Sequence, residues 1–241
     1  MVAITPARNI KLTIAYDGTA YHGFQRQNNA LSIQEILETK LQKIFGHPIK
    51  INGAARTDAG VHAYGQVINL HTTGKIPTQN IMRATLGVLP DDIVITEAQE
   101  MPADFHARRK AIAKEYLYRI YHNPIPNPFN LKYAWHIKKP MSIQAMQEAA
   151  QILVGTHDYA SFIALGSSAK TSVRTIHTID IQKTGDFIYY MVRTIMGTLL
   201  PIGCGNRPSS DMINILAAKS RHAAGPTAPA HGLYLVKVDY R

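Results

Sequence analysis

The chain has 241 residues, a formal net charge of +10, a sequence pI near 9.7 and 46% hydrophobic residues. That apolar content builds a real core and excludes a disordered polyelectrolyte. One cysteine, Cys204, excludes an intrachain disulfide framework, and no apolar run reaches membrane-spanning length. The basic excess predicts a polyanionic partner, nucleic acid ahead of a membrane surface, because no long basic amphipathic helix is present. With no apolar signal core over Met1 to Asn9, a cytoplasmic protein is expected.

Asn9 to Tyr16 alternates Ile10, Leu12 and Ile14 with Lys11 and Thr13, which predicts a half-buried strand. Asp17-Gly18 is a turn signal, and Ser32-x-x-Glu35 opens a helix whose apolar face is Ile33, Ile36, Leu37, Leu41 and Ile44. Gly46-His47-Pro48 stops it. Ile49 to Asn52 predicts a short strand, Gln66 to His71 another, Gln79 to Leu86 a helix and Ile93 to Ala98 a strand. Pro102 to Arg109 breaks the pattern and gathers His106, Arg108, Arg109 and Lys110, so a domain junction is placed there. Glu115 to His122 alternates again, and Asn123 to Pro128 is a proline-rich loop. Ser142 to Val154 predicts a helix ended by Gly155, and Val173 to Gln182 a strand. Phe187 to Leu200 is apolar at helical spacing, Asp211 to Lys219 predicts a short helix, and Gly232 to Tyr240 a closing strand. The expected architecture is α/β (α+β): a mixed, mainly antiparallel central sheet with helices, in two similar halves around a cleft. The halves are residues 1–106 and 107–241.

Several chemistries lack their motifs. There is no phosphate-binding loop of the nucleotide-hydrolase type, no Gly-x-Gly-x-x-Gly after a strand, no His-Glu-x-x-His and no Gly-x-Ser-x-Gly elbow. No metal and no cofactor are expected, and the chemistry falls to side chains. The informative stretch is Gly53-Ala54-Ala55-Arg56-Thr57-Asp58-Ala59-Gly60-Val61-His62-Ala63. It sets a lone carboxylate beside a guanidinium in a tight loop of small residues, where backbone can approach a ligand closely. An ordinary Asp turn is the competing reading. An ionised Asp58 in a cleft needs a cation beside it, and Arg193, within an apolar run, is the candidate. Tyr116, on a strand, can stack on a flat base and reach a proton with its hydroxyl.

The Asp58 motif closely resembles the catalytic motif of the TruA family of tRNA pseudouridine synthases. Five further segments match in the family's order. They are Tyr16-Asp17-Gly18-Thr19-x-Tyr21-x-Gly23-Phe24-Gln25-Arg26-Gln27, Asp104 to Arg108 with Lys114-Glu115-Tyr116-x-Tyr118, Met191-Val192-Arg193-x-Ile195-x-Gly197, and Gly225 to Leu233. The resemblance covers nearly the whole chain. It implies a cofactor-free isomerase acting on uridines of the tRNA anticodon stem-loop, working as a homodimer. It also implies roles: Asp58 as catalytic aspartate, Tyr116 against the target base, Arg193 as the partner of the aspartate and Arg56 holding the flipped nucleotide. Arg26, Gln27 and His62 complete the expected substrate contacts. Whether Asp58 attacks the sugar C1′ or the ring, or acts as a base, stays open at this level. A silent RNA-binding module would not need the three side chains together. A hydrolase or nuclease would want further acidic or metal-binding groups near Asp58.

Two departures from the family pattern stand out. Ala55 occupies a position where glycine is expected, and at Gly185-Asp186-Phe187 a strand and turn expected before the Phe-x-Tyr segment are fused.

Overall fold

A computed structural model describes residues 7–163, 171–185, 187–190 and 193–241. They fall into two compact units, residues 1–115 with 234–241 and residues 116–233. The architecture is mixed α/β with mainly antiparallel strands, as the alternation of strand and helix periods predicts.

The first unit is built on β1 (Arg8–Tyr16), which lies between β3 (His62–Thr72) and β4 (Ile93–Met101), antiparallel to both. Ile10, Leu12 and Ile14 of β1 are fully buried, so the period-two pattern marks the face that meets the core. The short β2 (Ile51–Gly53) pairs antiparallel with β3 through Ile51↔Leu70 and Gly53↔Ile68. Helix α1 (Ile33–Phe45) buries Ile33, Leu37 and Leu41. Its N-cap is Ser32, whose hydroxyl accepts from the Glu35 N–H at 3.3 Å, and Gly46 ends it at φ +75°. Helix α2 (Thr78–Thr85) follows β3 and packs against β4. The last strand, β11 (Leu233–Tyr240), returns to this unit and pairs in parallel with β3 at Tyr234↔His62 and Leu235↔Ala63. Gly65 allows the approach, because a Cβ there would overlap the Val236 carbonyl. At the far end of the unit, Asn9 and Asn69 are buried and bonded to each other at 2.9 Å. They also bond to the 102–107 segment, with Asn9 donating to the Phe105 carbonyl and the Ala107 N–H donating to Asn69. These buried amides pin the connection that carries His106 and Arg108.

In the second unit, β5 (Ala111–His122), which begins in the first unit, pairs in parallel with β6 (Trp135–Ile137) and antiparallel with β10 (Phe187–Tyr190). The strand β9 (Gln182–Thr184) extends this sheet through Phe187↔Thr184. A separate pair joins β7 (Gly155–Asp158) to β8 (Val173–Ile176). The short helix α3 (Pro128–Leu131) starts at the last residue of the proline-rich segment, with Pro128 in its first turn and Asn127 as N-cap. Helices α4 (Ile143–Gln151), α5 (Arg193–Gly203) and α6 (Asp211–Ala217) complete the unit, and α4 packs on α5.

Two sequence expectations need correction. Phe187 to Leu200 is not one helix: Phe187–Tyr190 is a strand, and the helix begins at Arg193. The aromatic and β-branched residues Phe187 to Tyr190 suit a strand beside β5, and an apolar run reads the same in both states. Val173 to Gln182 is likewise interrupted, with strand at 173–176 and again from Gln182. The fused junction expected at Asp186 lies outside the described residues, as do Met191 and Val192 of the Arg193 motif.

Candidate active site

Asp58 sits in the connection between β2 and β3 and is solvent-exposed, as is Arg56 two residues before it. The turn closes through the Val61 N–H, which donates to the Asp58 carbonyl at 3.2 Å, and Gly60 takes φ +76°. Behind the exposed side chains, several backbone groups of the turn are held. The Ala54 N–H donates to the Val67 carbonyl at 2.8 Å. Gln66, fully buried in β3, brackets Ala55: its amide oxygen accepts from the Ala55 N–H at 3.1 Å, and its amide nitrogen donates to the Ala55 carbonyl at 2.8 Å. Ala55 is itself buried and has no positive φ, so alanine is accommodated where glycine was expected.

The rest of the clamp comes from residues 16–27. Tyr16 and Thr57 share a hydroxyl–hydroxyl hydrogen bond of 2.7 Å. The Phe24 N–H donates to the Thr57 carbonyl at 3.0 Å, and the Gly60 N–H to the Tyr21 carbonyl at 3.3 Å. Two glycines make this contact possible. A Cβ on Gly18 would overlap the Val61 carbonyl, and one on Gly23, at φ +91°, would stand 2.7 Å from the Thr57 carbonyl oxygen and 3.3 Å from the Asp58 carbonyl carbon. The signature segment is therefore the wall on which the Asp58 turn rests. Tyr21 closes it on the outside by donating to Asp92 at 2.6 Å, and burial foremost, with Asp92 assisting, keeps that phenol protonated well above its usual range.

The other predicted contacts of this unit occupy different positions. Arg26 is exposed and reaches Glu38 at 3.3 Å and Glu35 at 3.9 Å. Gln27 donates to the His22 carbonyl at 2.7 Å. His62 is buried rather than presented to solvent, with its ring stacked on Tyr234 at 4.8 Å between centroids. Its Nδ1 faces both the Gly18 N–H at 3.1 Å and Asp17 Oδ1 at 3.0 Å. A lone pair on Nδ1 serves the first and a proton serves the second, so the imidazole ties the signature segment to β3 in either tautomer.

Tyr116 and Arg193 belong to the second unit. Tyr116 is half-buried on β5, two residues before Tyr118 and therefore on the same face of the strand. Tyr118 is fully buried, packs edge-on against Trp135 and donates to the Pro229 carbonyl at 2.8 Å. Burial raises its pKa, and nearby Arg193 opposes the rise. Arg193 opens α5 and is held by a reciprocal pair: its Nε donates to the Ala228 carbonyl at 2.7 Å, and the Ala228 N–H donates back to the Arg193 carbonyl at 3.1 Å. Gly197, one turn on, lies where a Cβ would overlap the Pro226 carbonyl, so the 225–230 segment packs directly on the helix. Arg193 is thus anchored by the motif that follows it in sequence by some thirty residues, a link spacing alone does not reveal.

Sequence reading missed the supporting groups Tyr16, Gln66 and Asp17. Tyr16 and Asp17 lie in the quoted signature, but nothing local says that they serve the Asp58 turn. Gln66 had one available signal, an uncharged amide inside an apolar strand. Among the described residues, no group of three His, Cys, Asp or Glu side chains could hold a metal ion. Cys204 is half-buried, and burial pushes its thiol up, away from nucleophilic character.

Comparison with known proteins bears on the chain as a whole. The family model described as tRNA pseudouridine synthase matches residues 12–108 and 149–241, which include Asp58 and Arg193. A tRNA pseudouridine synthase A of Acetivibrio thermocellus is 44% identical, and one of Thermoanaerobacter sp. strain X514 is 43% identical. In both, the alignment covers 97% of this chain and 100% of the relative. One of Exiguobacterium sp. is 42% identical over 97% of this chain and 98% of its own length. With a family model matched over most of its length and relatives this similar end to end, the chain belongs to the tRNA pseudouridine synthase family.

Proposed function

We propose that this protein converts uridine to pseudouridine in the anticodon stem-loop of tRNA, with Asp58 as the nucleophile. The reaction breaks the C1′–N1 bond, turns the uracil and forms C1′–C5. The proton leaves C5 and one is gained at N1, so no oxidant, reductant or energy source is consumed. A stacked base cannot turn, so the nucleotide is flipped into the site. Asp58 acts on the flipped nucleotide. Arg56, beside it, fills the vacated space or grips the phosphate. Tyr116 stacks on the uracil near C5, and Arg193 takes the role of the aspartate's cationic partner. This requires the Asp58 turn of one unit and the Tyr116 and Arg193 positions of the other to meet at one nucleotide. Arg26 and Gln27 contact the RNA, and His62 contributes from behind the loop. The reading extends to a homodimer working in the cytoplasm. No helix among the described residues is long and apolar enough to cross a membrane.

The observation that carries the reading is the build of the Asp58 turn: an exposed carboxylate on a backbone bracketed at Ala55, Thr57 and Gly60. Such preorganisation is wasted on a turn that only reverses the chain, and it suits a nucleophile that must be held to a fraction of an ångström. The test is incubation of wild type and Asp58→Ala with unmodified tRNA, followed by position-resolved mapping of pseudouridine. Wild type should modify anticodon-arm uridines. Asp58→Ala should bind the tRNA with little change and form none. Turnover by the variant near the wild-type rate would remove Asp58 from the mechanism.

A further inference from the structure

The first unit holds a cavity of about 260 Å³ beside the Asp58 turn. Its charged lining is Arg56, Arg108 and Arg109, with His106 between them and no acidic residue on the wall. Phe24 and Gly53 supply the apolar side. The arginines are exposed, and among the described residues no carboxylate forms a salt bridge with any of the three. Their neighbour Lys110 behaves differently, pairing with Asp104 at 2.7 Å. The backbone presents the cluster: the Arg109 and Lys110 N–H groups both donate to the His106 carbonyl, at 3.1 and 3.0 Å, which folds the 106–110 segment into a turn. The His106 Nδ1 accepts from the Arg108 N–H at 3.2 Å, which leaves Nε2–H as the ring's donor. Burial foremost, with Arg109 and then Arg108 adding, holds the His106 pKa below its ordinary value. Three guanidiniums gathered without a counter-ion repel one another, and an anion in the cavity relieves that repulsion.

We propose that this cavity is a binding site for a phosphodiester of the RNA strand flanking the target nucleotide, held by Arg108 and Arg109 with His106. The proposal rests on the reading of the protein as an RNA-modifying enzyme and adds a subsite to it. Arg56 belongs both to the cavity and to the Asp58 turn, so a phosphate bound there fixes the register of the strand relative to the carboxylate. Arginine suits the role because its planar donors match phosphate oxygens two at a time. An open, acid-free cavity also admits a free anion, so the chemistry shared by both sources is phosphate, and the experiment separates them.

The experiment uses anticodon stem-loop hairpins carrying one uncharged methylphosphonate linkage at each position in turn, bound to wild type and to the double variant Arg108→Gln/Arg109→Gln. Both arginines are exposed, so the variant should melt as wild type does. With wild type, one linkage or two adjacent ones should cost about tenfold in affinity, the scale of a charge-assisted hydrogen bond. The double variant should bind the unmodified hairpin about tenfold more weakly, and the same linkage should then cost nothing further. Equal losses in both proteins at every linkage overturn the proposal. Inorganic phosphate at constant ionic strength forms the second arm. If it competes with the hairpin for wild type alone while no linkage couples to the arginines, the cavity is a free-anion site and the proposal also fails. Mapping pseudouridine in the unmodified hairpin with wild type keeps the functional reading separate: its absence sinks that reading, while the linkage coupling is still read from binding.

Discussion

Gly23→Ala tests whether the signature segment positions the Asp58 turn. Two costs are built into this substitution and can be separated. The first is conformational, because Gly23 has φ +91°, where an L side chain costs about 1–2 kcal/mol. The second is steric: the new Cβ would lie 2.7 Å from the Thr57 carbonyl oxygen, against an ordinary contact of 3.4 Å or more. The 56–60 backbone must therefore retreat by roughly 0.7 Å, and a misplacement approaching 1 Å at a reacting group costs on the order of 10²-fold in rate. Gly46→Ala supplies the control. Gly46 has φ +75° with nothing within 4 Å of the new Cβ, so it carries the first cost alone. Gly46→Ala should lower the melting temperature by about 3–6 °C and leave kcat unchanged. Gly23→Ala should destabilise by roughly twice as much and lower kcat between about tenfold and a hundredfold, measured in single-turnover assays well below both melting temperatures. A Gly23→Ala enzyme that melts like Gly46→Ala and turns over at the wild-type rate would refute the idea that this wall positions Asp58.

The remaining predictions address single groups. Tyr16→Phe removes the 2.7 Å hydroxyl bond to Thr57 and should lower kcat about threefold to tenfold with tRNA affinity unchanged; a loss in affinity alone would place Tyr16 on the RNA instead. Tyr118→Phe leaves the Pro229 carbonyl without its 2.8 Å donor and should cost about 1–2 kcal/mol in urea unfolding, and an unshifted midpoint would show that the bond contributes nothing. Burial foremost, with Arg193 adding, holds the His231 pKa below its ordinary value, against a hydrogen bond with the Ala134 backbone. The unfolded chain therefore takes up a proton at this position below about pH 6.5 that the folded chain resists, so stability is unaffected at higher pH and declines as pH falls through that value. His231→Gln should flatten this part of the pH–stability curve, and an unchanged slope would mean that other groups set it.

The strands and helices of the first unit were legible because each buries one face. Ile10, Leu12 and Ile14 alternate, and Ile33, Leu37 and Leu41 recur at helical spacing, so periodicity alone names the core. Ser32 and Gly46 mark the ends of α1 because capping chemistry is local. The 187–200 segment was misread because a short apolar run fits strand and helix alike, and its strand half depends on pairing with β5.

The motif proposed as catalytic stood out in the sequence in the same local sense, since Arg56 and Asp58 are separated by one residue and family resemblance attaches to such short words. The chain by itself determined its class, its basic character and the residue types offered to the reaction, all properties of composition and near neighbours. Tertiary structure decided that Gln66 brackets Ala55, that Tyr16 and Gly23 stand behind Asp58, that Ala228 anchors Arg193, and that Arg56 shares a cavity with Arg108 and Arg109. These contacts join residues far apart in sequence through hydrogen bonds and close approach, and such contacts exist only once sheet pairing has brought distant backbone together.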